Sequence, residues 1–228
     1  MSGKQIDFYF DLSSPYSYFA ATQLDAIAGR YGAQVVWKPM VLAAVFKAVG
    51  NVMPAVCIPK AQYMVKDLAR WAAHYGVPFQ MSSRFPLPTI RAMRLVIAGE
   101  ALGKSGDLAK RFFSAMWERD LDISSDDVLR QIIGEAGLSA DALFAATDTA
   151  QVKDKLRAYT DEAVSRGVFG APRWLWMGSC SGATTGFTFG TKARKVKDRR
   201  VGVHHAERAD SVYFPNHSPA VKLSAWKS

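Results

Sequence analysis

Ser14 and Ser17 are the side chains whose place in the sequence is best suited to chemistry. They follow an apolar segment that predicts a strand over residues 6–12, and they open an amphipathic helix that begins at Pro15. A helix N-terminus carries unpaired N–H groups and about half a positive charge, so it stabilises an anion. We therefore expect an anionic group to bind at Ser14, whose hydroxyl can donate a hydrogen bond to it.

The segment Ser-Pro-Tyr-Ser has the layout of a thioredoxin-type C-x-x-C redox site in which serines replace both cysteines. A cysteine pair works at this place because the helix N-terminus stabilises a thiolate. Ser14 and Ser17 form no disulfide, so we expect the sulfur to arrive on a ligand, and glutathione is the obvious carrier. The alternative is a plain helix cap, because serine followed by proline at the first helical position is a common helix start.

The composition limits the class of protein. The 228 residues are enough for one large domain or two small ones with a substantial core. There is no apolar run of about 20 residues and no signal-peptide pattern, so we expect a soluble, cytoplasmic protein. Cys57 and Cys180 lie far apart, and the four histidines form no H-E-x-x-H pattern. Neither a disulfide framework nor a metal site is therefore expected.

The net charge of +9 is concentrated near one end of the chain. Residues 1–172 contain 19 basic and 17 acidic side chains, whereas residues 173–228 contain 10 and 3. A nearly neutral domain with a basic appendage is weak evidence for binding to nucleic acid or to an acidic membrane. We expect neither partner.

The periodicity of apolar residues predicts two types of structure. The helix from Pro15 should end at Gly32, and a strand over residues 33–39 should end at Pro39, giving a β-α-β unit with parallel strands. Helical patterns then dominate to about residue 156, with Ser124 and Ser139 as expected N-caps. The predicted helices cover residues 62–75, 89–102, 107–118, 125–136, 140–146 and 149–166.

Residues 167–172 mark the return of strand patterning. Two glycines and an X-Pro bond precede an apolar segment, so we expect a cis peptide at Ala171–Pro172 that faces the Ser14 turn. The backbone of Ala171 could then pair with an extended peptide as a short strand. A structural turn is the alternative.

These patterns predict an α/β fold, a thioredoxin-like fold interrupted by an all-helical inserted domain. Residues 1–42 and 157–190 would form the discontinuous thioredoxin-like domain, and residues 43–156 the helical insertion. Residues 191–228 would form an atypical basic tail that is poorly ordered.

Several motifs in this order resemble the glutathione-dependent 2-hydroxychromene-2-carboxylate isomerases, relatives of the kappa-class glutathione transferases among the DsbA-like thioredoxin folds. The resemblance runs from about residue 5 to Pro172. Its motifs are residues 7–20, Gly50-Asn51, residues 59–63, 66–68 and 84–86, and residues 168–172.

The resemblance implies roles for particular residues. Ser14 would hold and activate the glutathione thiol, and Ala171, beside Pro172, would pair its backbone with glutathione. Asn51 and Lys60 would bind glutathione or the substrate carboxylate. Lys60 could instead be an ordinary solvated charge, which is the interpretation we favour for Lys66. Tyr63, Trp71 and Cys57 are expected to be buried.

The implied activity is the interconversion of 2-hydroxychromene-2-carboxylate and trans-o-hydroxybenzylidenepyruvate in aromatic, naphthalene-type catabolism. The partner would be a small aromatic carboxylate, and a homodimer is left open. One alternative is a kappa-class-like glutathione transferase, and another is a catalytically impaired protein that binds glutathione or a peptide. Thiol-disulfide exchange is disfavoured because Ser14 and Ser17 cannot cycle.

The chain departs from the family after Pro172. Relatives continue with two strands, an acidic pair and a closing helix, whereas here a segment rich in glycine and serine leads into basic, unpatterned sequence. A reading-frame shift within residues 178–187 would explain the change. On this hypothesis the domain lacks the strand and helix that complete its sheet, and also lacks the acidic pair that would hold the γ-glutamyl end of glutathione.

Overall fold

A computed structural model of the chain describes residues 4–176 in full and residues 179–182 by their backbone. Within these residues the strands lie only near the two ends of the chain, and the elements between them are helical. The order is β1 (Lys4–Phe10), α1 (Pro15–Tyr31), β2 (Ala33–Pro39), α2 (Leu42–Val49), a 3-10 turn (Pro54–Val56), α3 (Ile58–Tyr75), α4 (Ile90–Ala98), a second 3-10 turn (Gly99–Leu102), α5 (Ser105–Trp117), α6 (Asp126–Glu135), α7 (Ala140–Thr147), α8 (Ala150–Ser165), β3 (Arg173–Trp176) and β4 (Ser179–Gly182).

The strands form one sheet in the order β2-β1-β3-β4. β1 and β2 are parallel, with Lys4 opposite Ala33, and α1 connects them as the sequence predicts. β3 runs antiparallel to β1, with Tyr9 opposite Arg173, and β4 runs antiparallel to β3. The helices from α2 to α8 all lie between β2 and β3 in the chain, which confirms the predicted α/β fold with a helical insertion.

β1 is central, and its residues from Ile6 to Phe10 are buried. Successive side chains of a strand point to opposite faces of the sheet. On one face Phe8 and Phe10 pack against Trp37, with ring centroids 5.3 and 5.7 Å apart. Phe10 also lies 5.6 Å from Phe113 of α5, so the inserted helices and the sheet share one apolar core.

The other face of β1 carries a cluster of charges. Arg166 donates to Asp7 at 2.6 Å, and Lys38 lies 2.9 Å from Glu162 and 3.4 Å from Asp7. Burial by itself raises the pKa of Asp7, but the hydrogen bond from Arg166 and the charge of Lys38 outweigh it and hold this pKa below its usual value. The cluster ties the end of α8 to β1 and β2, just before residues 167–172.

Local signals predicted some element ends and missed others. α1 and β2 have the predicted bounds. β1 lies two residues earlier than predicted, because the chain leaves the sheet after Phe10 and enters a turn. α3 begins at Ile58 rather than residue 62, with Pro59 in its first turn, where the missing N–H costs nothing. Ser139 caps α7 as predicted, whereas the N-cap of α6 is Ser125 rather than Ser124.

Two predictions about the second half of the chain meet the structure only in part. The proposed boundary after residue 156 falls inside α8, which is continuous, and the division into domains stays a prediction. The expectation that the completing strand is missing is wrong, since Ser179–Gly182 pairs with β3. The predicted basic tail, residues 191–228, lies outside the described residues. No helix in the described part of the chain is long and apolar enough to span a membrane.

Candidate active site

The Ser14 turn joins β1 to α1 and is almost completely buried. Ser14 is 6% exposed and Ser17 is fully buried. The Ser14 Oγ accepts a hydrogen bond from the Ser17 N–H at 3.2 Å, and Pro15 occupies the first helical position. Ser14 is therefore a helix cap, and this cap holds its oxygen at the positive end of α1.

A second segment meets this turn from the far end of the chain. The Ala171–Pro172 bond is cis, as predicted. The Ser14 hydroxyl donates to the Ala171 carbonyl at 3.2 Å across 157 positions, which confirms the predicted proximity. The Ala171 N–H donates to no acceptor among the described residues. The Ser14 hydroxyl thus contacts a residue whose backbone N–H has no acceptor within the described ranges.

Asn51 follows the left-handed Gly50 that ends α2. Its side-chain N–H donates to the Phe169 carbonyl at 2.9 Å, and its side-chain oxygen accepts from the Val52 N–H at 2.8 Å. The structure therefore brings Asn51 to the segment 167–172, with its amide bonded to that segment. No local sequence pattern indicates this bond, which joins positions 118 residues apart.

Lys60 lies in the first turn of α3, on the rim of an open cavity of about 400 Å³. It is exposed and forms no hydrogen bond or ion pair with any residue in the described ranges. Tyr16, two residues after Ser14, also lines this cavity and places it beside the Ser14 turn. The remaining lining residues are Pro54, Pro59, Tyr63 and Met64.

Tyr16 is a site residue that sequence reasoning missed. Its hydroxyl donates to Asp67 at 2.9 Å. Burial, and then the hydrogen bond and charge of Asp67, raise the pKa of Tyr16 above its usual value, so the hydroxyl stays protonated at neutral pH. The pattern that could have revealed Tyr16 is its position within the first turn of the helix that Ser14 caps.

The surface around the cavity is apolar and exposed. The expectation that Tyr63 is buried is wrong, since this side chain is 57% exposed. Cys57 is also exposed, contrary to expectation. Trp71 packs against the core as predicted. Around the Pro54 turn and at the start of α3, further apolar side chains are exposed, namely Val52, Val56 and Ile58.

The arrangement suits a thiol ligand and an aromatic acid better than a metal. Ser14 can donate to a thiolate, the Ala171 N–H can pair with a peptide, and Lys60 beside apolar side chains can hold a carboxylate with an attached ring. No group of three or more histidine, cysteine, aspartate or glutamate side chains in the described residues could hold a metal ion.

The sheet order, the helix that begins at the Ser14 turn and the facing cis-proline segment together define a thioredoxin-like protein. The sequence model of the DSBA-like thioredoxin domain family matches residues 5–194, and the chain belongs to this family. The match continues beyond Pro172, where we expected the resemblance to end.

The relatives narrow the class further. The chain is 34% identical over 175 residues to the 2-hydroxychromene-2-carboxylate isomerase of Sphingobium xenophagum, which covers 74% of this chain and 87% of that protein. It is 27% identical over 197 residues to glutathione S-transferase kappa 2 of Caenorhabditis elegans, covering 82% and 87%. A solved 2-hydroxychromene-2-carboxylate isomerase superposes with a TM-score of 0.74 at 24% identity, covering 85% of this chain and 98% of that one, which supports the fold. The predicted resemblance is confirmed, and the chain is a relative of isomerases and kappa-class transferases that use this fold.

Proposed function

We propose that the protein is a glutathione-dependent isomerase that interconverts 2-hydroxychromene-2-carboxylate and trans-o-hydroxybenzylidenepyruvate in the catabolism of naphthalene-type aromatic compounds. The observation that carries the proposal is the Ser14 Oγ, held at the N-terminus of α1 and 3.2 Å from the Ala171 carbonyl. The names of the isomerase relatives, 34% and 30% identical, support this substrate.

The residues at the Ser14 turn fit glutathione. When bound, glutathione supplies a thiolate that adds reversibly to the unsaturated ring. The ring can then open, and the opened substrate can rotate about the former double bond before the thiolate leaves. The Ser14 hydroxyl would donate to the sulfur, and with the positive end of α1 it would favour the charged form and lower the thiol pKa. The Ala171 N–H would hold the peptide backbone of the ligand.

The cavity beside the turn would receive the substrate. Lys60 has no acidic partner in the described part of the chain, so its ammonium group can bind the carboxylate. Tyr63 and Met64 offer apolar surface to the ring. Asn51 would help to bind glutathione or the substrate carboxylate. It would do so by direct contact, or by holding the segment before Ala171 through its hydrogen bond to Phe169.

A kappa-class-like transferase is the second candidate. It is favoured by the kappa-class relatives, including glutathione S-transferase kappa 1 of Rattus norvegicus at 28% identity. The same residues would serve both activities, which differ in whether the glutathione adduct is released. Thiol-disulfide exchange through a cysteine pair needs two thiols at this turn, where Ser14 and Ser17 carry hydroxyls instead.

The test is turnover of 2-hydroxychromene-2-carboxylate by the purified full chain, with and without glutathione, followed at the ultraviolet band of the substrate. We expect equilibration that requires glutathione and leaves its concentration unchanged. A stable glutathione adduct as the product would favour the transferase. Failure to bind glutathione in a calorimetric titration would contradict both.

Two further properties belong to the proposal. A cytoplasmic location fits the exposed Cys57 thiol and the expected use of glutathione. A homodimer is the oligomeric state we propose, and light scattering coupled to size-exclusion chromatography decides it, with a monomeric mass as the contradicting result.

A further inference from the structure

Asp11 is a buried carboxylate in the turn between β1 and α1 that the proposed mechanism does not use. It is 4% exposed. Its Oδ1 accepts hydrogen bonds from the N–H and the hydroxyl of Ser13, at 3.0 and 2.9 Å, and from the hydroxyl of Thr89 at 2.8 Å. Its Oδ2 accepts from the N–H of Leu42 at 3.0 Å. No cation within the described residues pairs with it, so these donors alone compensate its charge.

Two of the donors lie at helix starts that have no cap of their own. The N-cap of α2, Val41, offers no side-chain hydrogen bond, and the Leu42 N–H is one of the unpaired groups of the first turn. The N-cap of α4, Thr89, donates its hydroxyl to Asp11 instead of capping its helix. The positive ends of both helices favour a carboxylate at this place. Asp11 therefore takes the role of a cap for α2 from a different segment of the chain.

The same residue also holds the main chain of Ser14. The Asp11 carbonyl accepts the Ser14 N–H at 3.0 Å. At its other end α2 leads through Gly50 to Asn51, whose amide bonds Phe169 two residues before Ala171. A continuous path of direct contacts thus joins the Ser14 turn, Asp11, α2, Asn51 and the cis-proline segment.

We propose that Asp11 is a positioning residue that sets the Ser14 hydroxyl relative to α2 and to the Ala171 segment, and thereby sets the affinity for glutathione. This inference rests on the proposed function, because it takes glutathione as the ligand of the Ser14 turn. Asp11 does not touch the ligand in this proposal and acts through the segments it joins.

Three variants separate positioning from general stability. Asp11→Asn keeps the shape of the side chain but replaces one acceptor oxygen by an NH₂ donor. The asparagine side chain therefore cannot accept all four hydrogen bonds that Asp11 accepts. Thr89→Val keeps the negative charge and removes one donor. Thr147→Val is the control, since Thr147 is 2% exposed and its hydroxyl donates to the Phe144 carbonyl at 2.7 Å within α7, with no hydrogen bond to the Ser14 turn or to α2 among the described residues.

The dissociation constant for glutathione is measured by calorimetric titration, together with the melting temperature of each variant. Hydrogen bonds to a charged group support about a tenfold rise in Kd for Asp11→Asn and about a threefold rise for Thr89→Val. Thr147→Val also removes one buried hydrogen bond, so it should lower the melting temperature while leaving Kd within about twofold of the wild type. An unchanged Kd in Thr89→Val, or an equal rise in Thr147→Val, would overturn the proposal. If Asp11→Asn does not fold, the comparison of the two threonine variants decides it.

A second measurement does not depend on glutathione. Amide hydrogen exchange should accelerate at Ser14 and Ser17 in Thr89→Val relative to the rest of the chain, and it should not do so in Thr147→Val. Uniform acceleration in both variants would show that Asp11 contributes only to stability. If the wild type does not bind glutathione, the proposed function fails, and the exchange pattern still reports whether Asp11 positions the turn.

Discussion

The candidate site has two walls, one formed by the buried Ser14 turn and the other by the exposed side chains around Lys60 and Tyr63, and they differ in burial and in bonding. On the Ser14 side, the polar side chains of Asp11, Ser14 and Ser17 are buried, and the hydrogen bonds of the first two join segments distant in the chain. On the opposite side, the cavity is lined by Tyr63, which is 57% exposed, and by the exposed Lys60. Buried donors have defined positions, whereas exposed apolar side chains can adapt to different partners. Under the proposed function, the first wall would hold the sulfur and the second would select the substrate.

The largest effect should come from removing the Ser14 hydroxyl. Ser14→Ala should lower kcat/KM for the glutathione-dependent reaction by about 100-fold or more, as loss of one fixed donor to a developing or bound anion does in other enzymes. The fold should survive, because a lost cap costs about 0.5–2 kcal/mol. Initial rates and a thermal melt check both parts.

Ser139→Ala is the matched control, because Ser139 caps α7 by accepting the Ala142 N–H at 3.3 Å, away from the site. It should cost similar stability and leave turnover unchanged. Undiminished turnover in Ser14→Ala would transfer the role to Ser13 or Ser17, or remove it from this turn.

A cysteine in place of Ser14 tests the electrostatics of the same wall. Ser14→Cys should give a thiol with a pKa at least about one unit below the ordinary value near 8.5, because it sits at a helix N-terminus. The pH dependence of alkylation, resolved by peptide so that Cys57 and Cys180 are counted separately, gives this pKa. An ordinary value for the new thiol would show that the positive end of α1 does not act on this position.

The opposite wall should respond through KM. Lys60→Ala should raise KM for the aromatic carboxylate about tenfold with little change in kcat, since a charge-assisted hydrogen bond in the ground state is lost. Lys66→Ala is the control, because Lys66 is equally exposed on the same helix but does not line the cavity. Equal effects of the two substitutions would mean that Lys60 acts only through the general charge of α3.

The smallest effect should come from the apolar part of this wall. Tyr63→Ala should raise KM about threefold through lost contact area with the ring, and Tyr63→Phe should leave it unchanged because the contact area is kept. Steady-state kinetics with substrates of two ring sizes measures both. A fall in kcat in Tyr63→Ala as large as that in Ser14→Ala would show that the two walls do not have separate roles.

Sequence patterns predicted the parts of this site that depend on local signals. Pro15 after Ser14 and the glycine at position 32 define α1, and the glycine-flanked proline at 172 predicted the meeting with Ser14. Tyr63 was placed wrongly because it precedes the buried Leu68 by five positions, which rotates it by about 140° around the helix. The long-range bonds of Asp11 and Asn51 join residues from 31 to 118 positions apart, and no local pattern encodes such contacts.

The sheet topology has a consequence for the chain while it is being made. β2 is synthesised soon after β1, but the other edge of β1 waits for β3, which follows residues 11–172. At about 5–20 residues per second, a ribosome needs on the order of 10 to 30 s for that stretch. During this time β1 presents a row of unpaired N–H and C=O groups, which are a template for wrong strand pairing. The helices that pack on Phe10 emerge first, so the nascent chain can bury one face of β1 before its second edge is closed.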